Sequence, residues 1–169
     1  TLPEKEGWVK RQDLLNLSGR SRRIQIELAE RLDIKDYPNP AGGCLLTDPR
    51  FTQKAKDLLS HRELNLDNIE LLKLGRHFRI SAKAKLVVGR DEKENECLAR
   101  LAKRGDYLFI PPLEIAGPTA LGRGFFTSEL IRLACSVTCR YCDLNGRATA
   151  GISYKKIGRK AENTIEVRA

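Results

Sequence analysis

The sequence predicts an α+β fold, with a helical N-terminal subdomain followed by a mainly antiparallel sheet packed with helices. Three observations carry that expectation. Up to about residue 72 the apolar residues recur at helical spacing; after Gly75 the spacing drops to two and β-branched residues become common; and Pro- and Gly-rich segments punctuate both halves. The change of period places the division between residues 1–66 and 67–169.

In chain order, residues 10–33 read as helix, with Ser18 or Ser21 as cap and Ile24, Leu28 and Leu32 as one apolar stripe. YPNPAGG (37–43) is a loop. Asp48-Pro49 starts a second helix whose buried face is Phe51, Ala55, Leu58 and Leu59, and a short helix near Asp67 carries Leu71 and Leu72. Phe78 and Ile80 alternate with polar neighbours in a strand, SAKA turns the chain, and residues 86–88 form the next strand. Asp91 and Glu94 form a capping-box pair opening a helix through Lys103, with Cys97, Leu98, Leu101 and Ala102 facing the core. A strand at 107–110, a Pro- and Gly-rich crossing from 111 to 124, a helix at 127–142 and strands near 147–157 and 163–168 complete the chain.

Composition excludes several classes. The chain has 169 residues, 41% hydrophobic and 31% charged, so it is neither disordered nor fibrous, and it is long enough to bury a core without disulfides or a metal. No apolar stretch approaches the roughly 20 residues needed to span a bilayer, and TLPEKEGW has no signal pattern. Five irregularly spaced cysteines argue for a reducing compartment, so a soluble cytoplasmic protein with no membrane partner is expected. Methionine is absent even at position 1, so the chain reads as the C-terminal piece of something longer or as a processed product.

The net charge of +9 is unevenly placed. Residues 73–90 carry Lys73, Arg76, Arg79, Lys83, Lys85 and Arg90 without one acid, and residues 119–169 carry nine bases against four acids. Such segments suggest a phosphate-bearing partner, the alternative being an ordinary basic surface. His77, within GRHFR, either helps bind phosphate or caps the sheet. His61 and His77 are too isolated for acid–base or metal chemistry. Ser18-Gly19-Arg20-Ser21-Arg22-Arg23 makes an anion site at a helix start, or equally a capped helix with solvated arginines, since Glu27 and Glu30 follow one turn on.

Cys135-x3-Cys139-x2-Cys142 has the spacing of a [4Fe-4S] cluster held by three thiolates, but i, i+4 and i+7 is also a buried helix face. The core reading is preferred; the alternative is a zinc or iron–sulfur site completed by Cys44, Cys97 or a residue outside the chain. Cys44 follows Ala41-Gly42-Gly43 and precedes a helix start, where free amides would stabilise a thiolate. It is either a functional thiol or a plain turn cysteine. No Walker loop or GxGxxG occurs, so no cofactor, ATP included, is expected in this chain.

YPNPAGGCLLTDPRF (37–51), LLKLGRHFRI (71–80), KLVVGRDEKENECL (85–98) and IAGPTAL (115–121) together resemble the C-terminal part of prokaryotic PP-loop ATPase, tRNA thiouridine-synthase-like proteins. Residues 70–169 are similar to the NFACT-R family, an RNA-binding module. The resemblance implies that tRNA is the partner of the module and that a missing N-terminal PP-loop domain binds ATP and carries out the thiolation. It makes Cys44 the candidate sulfur-carrying residue and Gly89, Arg90 and Asn95 part of the module's signature. With the basic residues above, Arg90, Asn95 and Arg123 complete the expected RNA-binding set. RYCD (140–143) departs from the family, which has serine at the position of Cys142.

Overall fold

A computed structural model describes residues 1–15, 17, 22–36 and 44–168. Among these, six α-helices and one six-stranded antiparallel sheet make an α+β fold. The chain divides into two compact units, Thr1–Leu45 and Leu46–Ala169. The sequence reading divides it at 66/67 instead; the helix from residue 49 goes with the sheet because its Lys54 and Asp57 bond to groups of the first hairpin and the segment before it.

The first unit contains α1 (Leu2–Lys5) and α2 (Arg23–Arg31). The helix expected over 10–33 is therefore much shorter. Residues 11–13 form only a 3-10 turn, and the apolar stripe of α2 is not buried, Ile24 and Leu32 both being exposed, so little packing supports a longer helix. Ser18 and Ser21, its expected caps, lie outside the described residues.

In the second unit, each helix begins at a side chain that accepts the first orphan amides. Asp48 accepts from Arg50 N and Phe51 N to open α3 (Pro49–Ser60), and Asn65 accepts from Asn68 N to open α4 (Leu66–Leu72). Asp91 caps α5 (Glu92–Leu101) at Glu94 N, and Thr127 caps α6 (Ser128–Cys139) at Leu130 N. The carboxylate of Glu94 reaches back to Arg90 N, one residue before the position a capping box requires.

The strands are β1 (Arg76–Ser81), β2 (Ala84–Val88), β3 (Tyr107–Ile110), β4 (Ala120–Gly124), β5 (Thr149–Lys156) and β6 (Glu162–Arg168), in the spatial order β1-β2-β4-β3-β5-β6. Alternation sorts their side chains. Leu86, Val88, Phe109, Ala120, Ile152 and Val167 meet Ala134, Cys135 and Cys139 of α6 on one face. Val87, Leu108 and Leu121 meet Leu71 of α4 and Leu98 of α5 on the other, and Leu72 packs with Ala55 and Leu58 of α3.

β4 lies inside the crossing expected over 111–124. Its two glycines disguise a strand, and each is required by close packing. A Cβ at Gly122 would lie 2.6 Å from the Phe126 ring, and Gly124, at φ +110°, would place one 2.0 Å from the Lys83 carbonyl oxygen. Gly124→Ala is therefore expected to cost at least about 2 kcal/mol through a left-handed backbone and a clash that only main-chain movement relieves. Urea unfolding of the two proteins measures it; equal midpoints would show that the β1–β2 turn yields freely.

Candidate nucleic-acid interface

The acid-free segment folds into the β1–β2 hairpin, and strand alternation splits its cations between two faces. Arg79 and Lys85 face each other directly across β1 and β2, and Lys85 faces Arg123 across β2 and β4. Three cations thus lie in one row, on the face covered by α4 and α5. Like charges so placed repel, so acids from elsewhere in the chain must neutralise them. Asp57 of α3 accepts from Arg79 at 2.8 Å and from Lys85 at 2.8 Å, Glu63 accepts from Arg79 at 2.6 Å, and Asp106 accepts from Arg123 at 2.7 Å. Burial alone would raise Asp57, but the hydrogen bonds from Arg79 and Lys85 outweigh it and hold the carboxyl well below its usual range. Burial would likewise lower Arg79, and Glu63 and Asp57 more than offset it.

Arg79, Lys85 and Arg123, expected to bind phosphate, are therefore engaged internally. Lys85 is only 7% exposed. Arg123 also donates to the Asn68 carboxamide and the Leu101 carbonyl, which ties β4 to α4 and α5.

His77 lies on the same face, where its Nε2 donates to the carbonyls of Leu71 (3.0 Å) and Leu74 (2.8 Å) around the end of α4. Lys54 adds bonds to the Leu72 and Gly75 carbonyls at 3.1 and 3.2 Å. Together they satisfy acceptors that the helix leaves open. His77 is thus engaged as a capping group.

The signature residues are also structural. Gly89 N–H donates to the Thr119 carbonyl at 3.0 Å, and the Asn95 carboxamide oxygen accepts from Thr119 N at 2.9 Å. A Cβ at Gly89 would lie 2.1 Å from that oxygen, so glycine and asparagine are required as a pair. Arg90 donates to Glu94, which is held at about 2 chiefly by that guanidinium against a smaller opposing effect of burial.

The exposed cations of the segment are Lys73, Arg76, Lys83 and, with half its side chain accessible, Arg90. Lys73, Arg76 and Arg90 lie at one end of the hairpin and Lys83 at the other, roughly 20 Å away at about 3.3 Å per residue. Beside the first end is an open cleft of about 570 Å³ between the start of α5, the 116–118 loop and Tyr141. The Arg76 guanidinium lies 4.8 Å above the Tyr141 ring. Tyr141 is absent from the sequence-based set; it stands inside the cysteine motif, between Cys139 and Cys142, 65 positions from Arg76, and only its aromatic character could have marked it.

The other candidates are scattered. Arg20 and the PAGG loop lie outside the described residues; Arg22 caps α2 by its backbone, and Arg23 pairs with Glu27 at 2.9 Å. Cys44 is exposed, and the first amides of α3 are accepted by Asp48.

Cys135 and Cys139 are fully buried under α6, and Cys142 lies past the helix end, which comes at residue 139 instead of 142. The Cys142 sulfur fills the space a side chain at residue 117 would need and donates to the Thr138 carbonyl at 3.5 Å. Burial pushes Cys135 and Cys142 up to about 11 and raises Cys139 as well. Zinc or iron–sulfur binding needs converging thiolates. Among the described residues no group of three or more His, Cys, Asp or Glu is arranged to hold a metal ion.

Burial, with Lys54 and Lys85 nearby, lowers His77 from 6.5 to about 4. The folded state therefore resists a proton that the unfolded chain accepts. The stabilisation is complete above pH 6.5 and is lost as pH falls toward 4. Glu94 acts lower, losing its contribution as pH falls from 4.5 toward 2. Stability should drop by about 2 kcal/mol between pH 7 and 5, and His77→Gln should remove most of that slope. Denaturant titrations at the two pH values measure it, and an unchanged slope in the variant would show that His77 titrates normally.

No helix among the described residues is long and apolar enough to cross a membrane. No curated protein matches the chain. One similar solved structure is the C-terminal part of the fibronectin/fibrinogen-binding protein from Streptococcus suis, at 16% identity and a TM-score of 0.47. The match covers 68% of this chain and 54% of that one, so the chain spans about half of its length. Residues 75–169 match the family described as NFACT protein RNA binding domain. The match begins at the hairpin and takes in the whole sheet, α5, α6 and the cleft; covering more than half of the sequence, it shows that the chain belongs to the NFACT RNA-binding domain family.

Proposed function

We propose that this chain is the tRNA-binding part of a PP-loop tRNA thiolation enzyme. In this reading an N-terminal domain of the same protein binds ATP and performs the chemistry in the cytoplasm. The observation that carries the RNA component is the family match over residues 75–169. The tRNA and sulfur-transfer components rest on the resemblance of PAGGCLLTDP and GRDEKEN to that enzyme group.

The charge distribution supports an RNA surface smaller than the sequence count suggests. With Arg79, Lys85 and Arg123 neutralised internally and Arg90 paired with Glu94, phosphate contact within the hairpin segment falls chiefly to Lys73 and Lys83. These are long exposed side chains at both ends of one hairpin, suited to an extended backbone and not to a point ligand.

Titration of a tRNA against salt tests this. The double variant Lys73→Ala with Lys83→Ala should bind about ten- to a hundredfold more weakly, and the slope of log K against log salt should shrink by roughly 2. A variant indistinguishable from the parent would remove the hairpin ends from the interface. For the sulfur component, Cys44→Ser in the whole protein should abolish tRNA thiolation with tRNA affinity kept within about threefold, because serine keeps the shape without the sulfur nucleophile. Full thiolation by the serine variant would make Cys44 a structural residue.

A further inference from the structure

The cleft beside the hairpin is poorly suited to the phosphates that the rest of the surface attracts. Its two guanidiniums, Arg76 and Arg90, are outnumbered by the carboxylates of Asp91, Glu92 and Asp143. Arg90 is also occupied by Glu94. A phosphate entering here meets three like charges and one available cation. A neutral group rich in N–H donors meets three carboxylates, of which Asp91 and Asp143 each already accept one backbone amide, from Glu94 and Asn145, on a single oxygen.

The cleft also offers a stacking surface. Arg76 makes no ion pair with a carboxylate among the described residues; its guanidinium carbon lies over the Tyr141 ring, 4.8 Å from the centroid, and one nitrogen makes a long bond to the Gly89 carbonyl at 3.4 Å. A guanidinium placed over an aromatic ring leaves its outer side to a further planar group, the manner in which unstacked RNA bases are received. The walls are built without a ligand, by the Gly89–Thr119–Asn95 bonds and by Asp143 N–H donating to the Ala116 carbonyl at 2.7 Å. The volume, about 570 Å³, lies within the roughly 300–1,000 Å³ typical of small-ligand sites.

We propose that this cleft receives one unpaired guanine of the bound RNA, stacked on the Arg76–Tyr141 pair with its N1–H and N2–H donors directed to the rim carboxylates. Guanine is the base that presents two adjacent donors on its pairing edge, matching one carboxylate, and acceptors on its other edge that suit an arginine. Adenine and cytosine offer an amine without a neighbouring donor, and uracil offers a single N–H. This rests on the RNA reading above and adds a base preference to it.

The test uses the full 169-residue chain and four single-stranded oligouridines that differ only in one central nucleotide. The guanine oligomer should bind roughly tenfold more tightly than the all-uridine one, with adenine and cytosine between. Asp91→Asn with Asp143→Asn should level the four affinities while thermal unfolding stays near that of the parent, because asparagine caps α5 as well as aspartate does. Arg76→Lys, which keeps the charge and loses the plane, should weaken the guanine oligomer most. Equal binding of all four oligomers by the parent would overturn the guanine site and leave RNA binding standing. A double variant that binds all four more tightly with the preference intact would overturn it too, identifying the cleft as a phosphate site shielded by its acids. Guanosine monophosphate binding as tightly as the oligomer would show that the cleft serves a free nucleotide. No binding of any oligomer would overturn both readings.

Discussion

Arg79, Lys85 and Arg123 stand side by side across β1, β2 and β4, and the fold around them exists in the form it does because that row must be neutralised. Water cannot do it, since Lys85 is almost fully covered. The counter-charges arrive from Asp57 on α3, Glu63 after it, and Asp106 before β3. Ion pairs of this kind return little net stability relative to an apolar core, but a buried cation left alone is costly, so they select one arrangement of helices over the sheet. The same constraint decides which cations face outward.

The family signature gains a physical meaning from its position. Gly89 and Asn95 are coupled because the asparagine oxygen occupies the space of a glycine side chain on its way to Thr119 N–H. Arg90 and Glu94 brace the start of α5. Gly89, Arg90 and Asn95 form one wall of the cleft that Arg76 and Tyr141 also line. The cysteine motif follows the same logic. Its sulfurs fill space under α6 and above Gly117, and their protonated state is a consequence of that packing.

Several elements were legible because their causes are local. Asp48-Pro49, Asp91 with Glu94, and Thr127 each open a helix through bonds spanning three residues or fewer, and these starts lie where the pattern puts them. β4 was hidden because Gly122 and Gly124 answer to Phe126, Phe109 and Lys83, a requirement that propensity contradicts. The helix expected over 10–33 failed in the opposite sense: its stripe has helical spacing, yet Ile24 and Leu32 stay exposed, and periodicity alone does not hold a long helix together.

The sequence by itself determined the fold class, the hairpin, most helix starts, the burial of Cys135 and Cys139 and the membership in an RNA-binding family, because periodicity, capping and motif residues act over short stretches of chain. Only the tertiary structure decided which basic residues remain available. Arg79 meets Glu63 from 16 positions away and Asp57 from 22, while Lys85 meets Asp57 from 28. Counting charge by segment treats such cations as unopposed. Coulombic pairing depends on distance in space, and the sheet brings together what the chain keeps apart.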